Sequence, residues 1–164
     1  MGDQMIDDDV KAAATKLLKA CRKAKLMLAT VESCTGGLLV GSLTEIAGSS
    51  DVIDRGFVTY TNTSKNELVG VPMELLFKVG AVSEEVARAM AAGGLSQSRA
   101  DVAVGVTGVA GPGQSENKPA GLVHVCAARR KGQILHERCL FDGNRTAVRK
   151  NSVLKAFELI HRVV

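Results

Sequence analysis

The chain has 164 residues, a length that fits one domain around one hydrophobic core. Only 3% of its residues are aromatic, with one Tyr and no Trp, which argues against binding single-stranded nucleic acid by base stacking. The net charge of +4 is mild and basic residues cluster only at positions 129–131, far from the dense basic stripe of a nucleic-acid-binding protein.

Cysteine spacing and hydropathy predict a cytoplasmic protein. The four cysteines, at positions 21, 34, 126 and 139, form no C-x-x-C pair, so the spacing of zinc-ribbon and thioredoxin-like sites is missing. Residues 1–9 are acidic and lack the apolar segment of a signal peptide, and polar residues interrupt every apolar run before it could span a membrane. We expect reduced thiols, no membrane partner, and neither a metal nor a cofactor.

Hydrophobic periodicity predicts alternating helices and strands in the first half of the chain. Residues 7–23 place apolar side chains at helical spacing, with acids first and bases last, in agreement with the helix dipole. The segments that follow predict a buried strand, a helix, a β-branched strand and two short helical turns, at residues 26–31, 36–47, 55–61, 64–68 and 72–77.

The second half predicts a helix, a strand, a β-hairpin and a final helix. Ser83 is a suitable N-cap because acids follow it in the first turn of a helix that runs to about residue 97. The later elements are a strand, two hairpin strands and a helix, at residues 101–107, 121–129, 133–141 and 145–163. Helices between the early strands and a closing hairpin predict an α/β layered sandwich with a mixed sheet.

Three loops follow predicted strands, where open α/β sheets place their ligands, and the first of them contains Ser33. A serine between a strand and a helix start is suited to attack, since nearby backbone amides can stabilise a developing oxyanion. Gly36 and Gly37 would let a substrate approach the backbone closely. Two alternatives remain open: Ser33 or Thr35 caps the helix, which spacing alone favours, or Cys34 is the nucleophile.

The second loop offers a base for such a serine. His124 and His136 fall on the predicted hairpin and His161 in the last helical turn, so a Ser-His-Asp triad is poorly supported. A lysine deprotonated by burial can replace histidine, and Lys65 is the natural candidate, with Tyr60 shortly before it. The alternative is a solvated lysine that opens a helix.

The third loop, at residues 105–113, is rich in glycine and could wrap a phosphate or a carboxamide with backbone amides. Its spacing matches neither the phosphate-binding P-loop nor the dinucleotide-binding fingerprint. A tight turn is the alternative interpretation. No set of His, Cys or acidic residues has the spacing of metal ligands, which favours a metal-free covalent mechanism.

Seven motifs together resemble the C-terminal domain family of the competence/damage-inducible protein CinA. They are E-S-C-T-G-G, G-S-S, Y-T-N-x-x-K, G-A-V-S-E-E-V-A, G-V-T-G-V-A-G-P-G, K-P-A-G and F-x-G-N-R, at residues 32–37, 48–50, 60–65, 80–87, 105–113, 118–121 and 141–145. They occur in family order with family-like spacing and span most of the chain, so coincidence is implausible. The resemblance implies a three-layer α/β/α sandwich.

The resemblance also implies a function. Many members resemble nicotinamide-nucleotide amidases, which hydrolyse nicotinamide mononucleotide to nicotinate mononucleotide and ammonia in pyridine-nucleotide salvage. The family's serine nucleophile falls on Ser33, its lysine on Lys65 and its motif tyrosine, which would position the lysine or relay a proton, on Tyr60. The implied substrate-binding residues are those of the first and third loops and one arginine near a phosphate: Cys34, Thr35, Gly36, Gly37, Thr107, Gly108, Gly111 and Arg145.

Two departures from the family pattern limit what the resemblance implies. Longer relatives carry an N-terminal molybdopterin-binding-like domain, for which 164 residues leave no room, so we expect one amidohydrolase domain over residues 1–164. The loop at residues 113–118 lacks the additional glycines of relatives. Alternatives are a non-catalytic nucleotide- or partner-binding module linked to competence or DNA damage, and an amidase for another carboxamide. The family also implies a homo-oligomer.

Overall fold

The computed structural model describes residues 6–164, so the first five positions of the acidic segment used to predict the absence of a signal peptide lie outside it. The first half of the chain forms α1 (Asp8–Ala24), β1 (Leu28–Glu32), α2 (Leu38–Thr44), β2 (Ile53–Val58), α3 (Asn62–Val69) and α4 (Met73–Val79). The second half forms α5 (Glu84–Ser96), β3 (Val102–Gly108), β4 (Leu122–Arg129), β5 (Ile134–Leu140) and α6 (Arg145–Val163).

The five strands form one mixed sheet in the order β2-β1-β3-β4-β5. Strands β2, β1 and β3 are parallel, whereas β4 and β5 run antiparallel as the closing hairpin. Helices α1, α2 and α6 pack on one face of the sheet and α3, α4 and α5 on the other. The predicted three-layer α/β/α sandwich with a mixed sheet is therefore confirmed.

Every residue of strand β1 is buried, which agrees with the mainly apolar segment that predicted it. Leu28 packs into the core beneath α1 and α6, while Val31 packs against Met90 of α5 on the opposite face. Helix α5 lies close to the sheet at Gly105, where an added Cβ would come within 2.5 Å of the Ala87 carbonyl oxygen. This close packing holds the centre of the sheet, and the loops that follow it, in place.

Two elements, β2 and α2, depart from their predicted bounds by up to three residues, more than the other elements do. Strand β2 ends at Val58 rather than at residue 61, because Thr61 adopts the N-cap position of α3 and exchanges capping bonds with Ser64. Its β-branched side chain is thus used for capping, which competes with strand extension. Helix α2 spans Leu38–Thr44, shorter than the predicted 36–47, because Gly36 and Gly37 take positive φ angles.

The carboxyl ends of the three parallel strands meet at one edge of the sheet. The segments that follow β1, β2 and β3 begin at Ser33, Thr59 and Val109, so the three loops that the sequence singled out lie side by side there. Such an edge is where open α/β sheets bind ligands. Among residues 6–164, no helix combines the length and the apolar character that crossing a membrane requires.

Candidate active site

Ser33 opens a turn of residues 33–37, the Ser33 turn, which connects β1 to α2. The Ser33 amide donates to the Val106 carbonyl oxygen at 2.9 Å, which ties the start of the turn to β3. Gly36 and Gly37 have φ angles of +58° and +98°, a left-handed conformation that glycine adopts without strain. The turn leaves the Ser33 side chain almost buried, at 8% exposure, on the wall of a cavity.

Glu32, to which the sequence analysis gave no role, holds the other end of this turn. Its carboxylate is fully buried and accepts bonds from the amides of Leu39 and Val40, at 2.8 and 3.0 Å. These are two of the four amides that a helix start leaves without intrahelical partners. Glu32 therefore caps α2 from the preceding strand, and Ser33 is free of the capping role that its spacing suggested.

Lys65 is also buried at this edge, with only 1% of its surface exposed. Its Nζ lies 2.9 Å from Ser33 Oγ and 2.9 Å from the Thr59 carbonyl oxygen. Burial lowers the pKa of Lys65 below the usual lysine range, partly opposed by the nearby Cys34 and Glu116. A buried lysine with a lowered pKa beside a serine hydroxyl has the geometry of a base and its nucleophile.

The N-terminal cap of α3 determines where Lys65 lies. Thr61 accepts a bond from the Ser64 amide, and the Ser64 side chain accepts one from the Thr61 amide. This reciprocal pair begins the helix at Asn62, directly after β2. The buried residues of the helix are Lys65 and Val69, one turn apart on the face that meets the sheet. A solvated lysine that opens a helix, the alternative left by the sequence, is not what the fold produces.

Tyr60 and Arg145 lie at the rim of the same cavity. Arg145 Nη2 donates to the Tyr60 hydroxyl at 3.3 Å, and Nη1 donates to the Gly111 carbonyl oxygen at 2.7 Å. Tyr60 is 59% exposed and makes no hydrogen bond to Lys65 within the described chain. The Thr59 carbonyl oxygen accepts from Lys65 instead, and a role of Tyr60 in positioning the lysine or relaying a proton stays a prediction.

The third loop forms the opposite wall of the cavity. Thr107 is buried and donates to the Ala81 carbonyl oxygen at 2.8 Å, while Gly108 packs too closely on β4 for a side chain. Beyond them, four loop amides donate to no acceptor within residues 6–164: those of Ala110, Gly111, Gly113 and Gln114. Backbone amides grouped in this way make an anion-binding concavity.

The cavity that these walls enclose has a volume of about 390 Å³. That volume lies within the range of small-molecule sites, about 300–1,000 Å³. Its charged lining residues are Lys65, Glu116 and Arg145, so the buried end holds a lysine and the rim an arginine. Glu116 accepts bonds from the Ala81 and Val82 amides, which anchors the loop at residues 113–118 to the start of α5.

The predicted substrate-binding residues of the Ser33 turn divide into two groups. Cys34 lines the cavity, but burial raises the pKa of its thiol to about 12, so the thiol stays protonated at neutral pH. Thr35, Gly36 and Gly37 are not part of the cavity wall that the described residues form. The chain turns into α2 here and the Gly36 amide is bonded to the Ser33 carbonyl oxygen, so contact of these three residues with substrate stays a prediction.

Two residues that approach the site were not predicted from the sequence. Arg149 of α6 donates to the carbonyl oxygens of Cys34 and Thr35, at 3.2 and 2.9 Å. It follows Arg145 by four positions, so helical spacing places both arginines on one face, a signal that could have identified it. Glu116 had no comparable signal, because only the folded loop brings it to the cavity.

The histidines lie away from the cavity wall, as the sequence analysis expected. His124 Nδ1 and His136 Nε2 are 2.9 Å apart on neighbouring hairpin strands, and their rings stack. Burial lowers the pKa of His124 to about 4. Within residues 6–164, no three His, Cys, Asp or Glu side chains gather in a way that could hold a metal ion.

Comparison with known sequences identifies relatives of this chain. A family model described as the CinA C-terminal domain matches residues 10–164. An Escherichia coli K12 protein named nicotinamide-nucleotide amidohydrolase PncC is 41% identical over 157 residues, covering 95% of this chain and 95% of its own length. A Geobacter sulfurreducens protein named CinA-like protein is 40% identical over 99% of this chain. The chain spans 39% of that relative's length and 40% of that of a relative from Caldicellulosiruptor bescii.

Solved structures share the same architecture. The competence/damage inducible protein CihA from Agrobacterium tumefaciens is 48% identical, with a TM-score of 0.90 and 94% of each chain covered. A CinA superfamily protein from Klebsiella pneumoniae is 32% identical, also with a TM-score of 0.90, over 93% of this chain and 96% of its own. Matched in sequence over residues 10–164 and in fold over nearly its whole length, the chain belongs to the CinA C-terminal domain family.

Proposed function

We propose that this chain is a deamidase that hydrolyses the carboxamide of nicotinamide mononucleotide to nicotinate mononucleotide and ammonia. One observation carries the proposal: the fully buried Lys65 Nζ lies 2.9 Å from Ser33 Oγ in a small-molecule cavity. The substrate is suggested by the relatives at 41% and 51% identity that are named nicotinamide-nucleotide amidohydrolase. We carry their substrate to this chain because the rim offers an anion site at the far end of the cavity.

In the first half of the reaction, neutral Lys65 accepts the hydroxyl proton as Ser33 Oγ attacks the carboxamide carbon. The carbonyl oxygen becomes negatively charged, and the Cys34 amide is our candidate donor to it. Cys34 lines the cavity, and its amide donates to no backbone carbonyl in the described chain. An amide directly after the nucleophile serves this purpose in other serine hydrolases. Removing one such donor typically costs about 3 kcal/mol of transition-state stabilisation.

Protonated Lys65 then returns its proton to the leaving nitrogen, and ammonia departs to leave an ester on Ser33. Water attacks the ester carbon, again with Lys65 as base, which releases the carboxylate and restores the serine hydroxyl. The Thr59 carbonyl oxygen accepts a second bond from Lys65 and so keeps the amine directed at Ser33 throughout. This cycle uses only groups that the fold brings together.

The phosphate of the substrate would bind at the rim. Arg145 offers a fixed fork of donors, the Tyr60 hydroxyl lies beside it, and the third-loop residues whose amides have no acceptor in the described chain line the same cavity. This assignment gives Tyr60 a binding role in place of the base-positioning role that the resemblance implied. The reacting carboxamide and the phosphate would then occupy opposite ends of the cavity.

The decisive experiment measures ammonia release from nicotinamide mononucleotide by the wild type and by Ser33→Ala. We expect turnover by the wild type and a nearly complete loss in the variant. Ser50→Ala, which removes an exposed hydroxyl outside the cavity, is the matched control and should behave as the wild type. A wild type that binds the nucleotide without releasing ammonia would instead indicate a binding module. Full activity of Ser33→Ala would refute the nucleophile.

A substrate panel separates the remaining alternative, an amidase for another carboxamide. If a carboxamide without a phosphate is hydrolysed as efficiently as the nucleotide, the rim assignment fails while the Ser33 and Lys65 assignment stands. The organisation of residues 1–164 as one amidohydrolase domain, the cytoplasmic location and the homo-oligomeric state stay predictions.

A further inference from the structure

The carbonyl oxygens of the first three residues of the Ser33 turn accept hydrogen bonds from different kinds of donor. The Ser33 carbonyl oxygen accepts from the Gly36 amide at 3.1 Å, and that of Thr35 accepts from the Leu38 amide at 3.0 Å. The carbonyl oxygen of Cys34, between them, has no backbone donor in the described chain. Its hydrogen-bond partner in the described chain is Arg149, whose Nε donates to it at 3.2 Å. The orientation of the Cys34–Thr35 peptide therefore depends on this one side chain.

Arg149 binds the turn with two separate nitrogens. In addition to the bond from Nε to Cys34, its Nη2 donates to the Thr35 carbonyl oxygen at 2.9 Å. The guanidinium also lies 3.6 Å from where a Cβ on Gly36 would stand, so it packs directly against the turn. The side chain comes from α6, a long helix whose buried face is part of the main core. The turn is thus anchored to a rigid element outside the loops.

Helix α6 contributes two arginines with different targets. Arg145, in its first turn, reaches the exposed rim at Gly111 and Tyr60. Arg149, one turn later and half-buried, lies behind the Ser33 turn and is not part of the cavity wall. A residue in that place contacts the reacting groups through the backbone that it holds.

We propose that Arg149 is a positioning residue for the Ser33 nucleophile. In a planar trans peptide the C=O and the N–H are fixed together, so holding the Cys34 carbonyl also holds the Thr35 N–H and the backbone conformation at Cys34. Rotation of that peptide would move the backbone on which the Ser33 hydroxyl and the Cys34 amide depend. The 2.9 Å contact with Lys65 requires that backbone to stay in place. This inference rests on the proposed function, in which Ser33 attacks the substrate.

An arginine suits this position better than a lysine would. The planar guanidinium presents donors in a fixed fork, which can bridge two neighbouring carbonyl oxygens at once. A lysine ammonium keeps the positive charge but is a single flexible point donor. Arg149→Lys should therefore retain part of the function, whereas Arg149→Met should retain the packing stem and lose both hydrogen bonds.

The test separates kcat from KM for these two variants, with ammonia release as the assay. Arg149→Met should lower kcat by roughly 100-fold, the loss typical of a small misplacement of a reacting group, with KM within about twofold of the wild type. The kcat of Arg149→Lys should lie between that of the wild type and that of Arg149→Met. Arg162→Met, on the same helix but paired with Glu137 on the surface, is the matched control and should match the wild type. An unchanged kcat in Arg149→Met would overturn the inference.

A second readout does not depend on the substrate assignment. A fluorophosphonate probe reacts when Ser33 Oγ attacks phosphorus, the P–F bond breaks and fluoride leaves, while Lys65 takes the proton. The labelling rate of Ser33, followed by mass spectrometry, should fall in Arg149→Met and partly recover in Arg149→Lys. Equal rates in wild type and both variants would overturn the inference, as would a wild type that is not labelled at Ser33.

These two readouts distinguish the possible failures. If the wild type releases no ammonia but labels at Ser33, the proposed deamidase function fails and the labelling rates alone decide the role of Arg149. Circular dichroism at the assay temperature checks folding. If Arg149→Met does not fold, Arg149→Lys decides: reduced kcat and labelling with KM retained support positioning, and rates equal to those of the wild type refute it.

Discussion

The two ends of the cavity differ in how many of their polar groups form hydrogen bonds within the protein. At the inner end, the amine of Lys65 bonds to Ser33 and Thr59, and the Glu32 carboxylate bonds to two amides of α2. At the rim, Tyr60 is 59% exposed, and the amides of residues 110, 111, 113 and 114 have no acceptor within the described chain. The side chains of Lys65 and Glu32 at the inner end are thus bonded within the protein itself, whereas the rim has donors to spare.

This difference indicates a division of labour. A base and a nucleophile must be held in place before the substrate arrives, because reorganisation during the reaction would raise the barrier. The groups that bind the distal part of a substrate can instead be solvated donors that exchange water for ligand. The buried end therefore belongs to the core of the fold, and the exposed end to its loops.

The largest effect should come from the inner end, through Lys65→Met. Loss of the amine removes the group that lies beside the Ser33 hydroxyl to take its proton, so kcat should fall by at least roughly 1,000-fold, while KM changes little. Initial rates of ammonia release over a range of nucleotide concentrations measure both constants. Lys78→Met, an exposed lysine of α4, is the matched control. A loss confined to KM would mean that Lys65 binds substrate and does not act as base.

Arg145→Met should produce an intermediate effect at the rim. A hydrogen bond to a charged group contributes about 1.5–3 kcal/mol, so kcat/KM should fall roughly 10- to 150-fold, mainly through KM. The riboside, which lacks the phosphate, should lose almost nothing when the same substitution is made. Equal losses with nucleotide and riboside would show that Arg145 stabilises the loop at Gly111 and does not recognise phosphate.

The smallest effect should be a shift in the pH dependence of activity on Glu116→Gln. Glu116 lines the cavity and acts on Lys65 through its charge. Its negative charge raises the pKa of Lys65 against the dominant lowering by burial. Activity requires neutral Lys65 and so rises with pH through that pKa. Removal of the negative charge lowers this pKa further, so the rising limb of kcat/KM should move to lower pH.

The control for this shift is Glu74→Gln, an exposed carboxylate of α4 outside the cavity wall, which should leave the profile in place. Glutamine keeps one acceptor oxygen for the Ala81 or Val82 amide, which limits the disturbance of the loop. A shift of the rising limb to higher pH would contradict the assignment of Lys65 as the base.

Local signals in the sequence predicted most of the fold. Helix α6 begins and ends where the periodicity placed it, because Asn144 caps its start and buried apolar side chains recur through its length. The end of β2 was predicted three residues late, since β-branched content alone does not reveal that Thr61 pairs with Ser64. Propensity identifies elements well, but competing local hydrogen bonds decide where they end.

For the site, residue spacing without the family resemblance argued against a catalytic role for Ser33 and Lys65. Spacing alone favoured Ser33 as a cap and Lys65 as a solvated residue. In the fold, Glu32 from the preceding strand caps α2, and α3 turns Lys65 inward. Both facts depend on contacts that span several residues and different elements, which no window of sequence contains.

The sequence by itself determined the layered α/β architecture and the three loops at the ends of parallel strands, because periodicity and glycine placement are local properties. The 2.9 Å contact between residues 33 and 65 arises only when β1 and β2 lie side by side in the sheet. The same holds for Arg149, which follows the Ser33 turn by more than 110 positions yet bonds to its carbonyl oxygens. Tertiary structure decided burial, and burial is what lowers the pKa of Lys65.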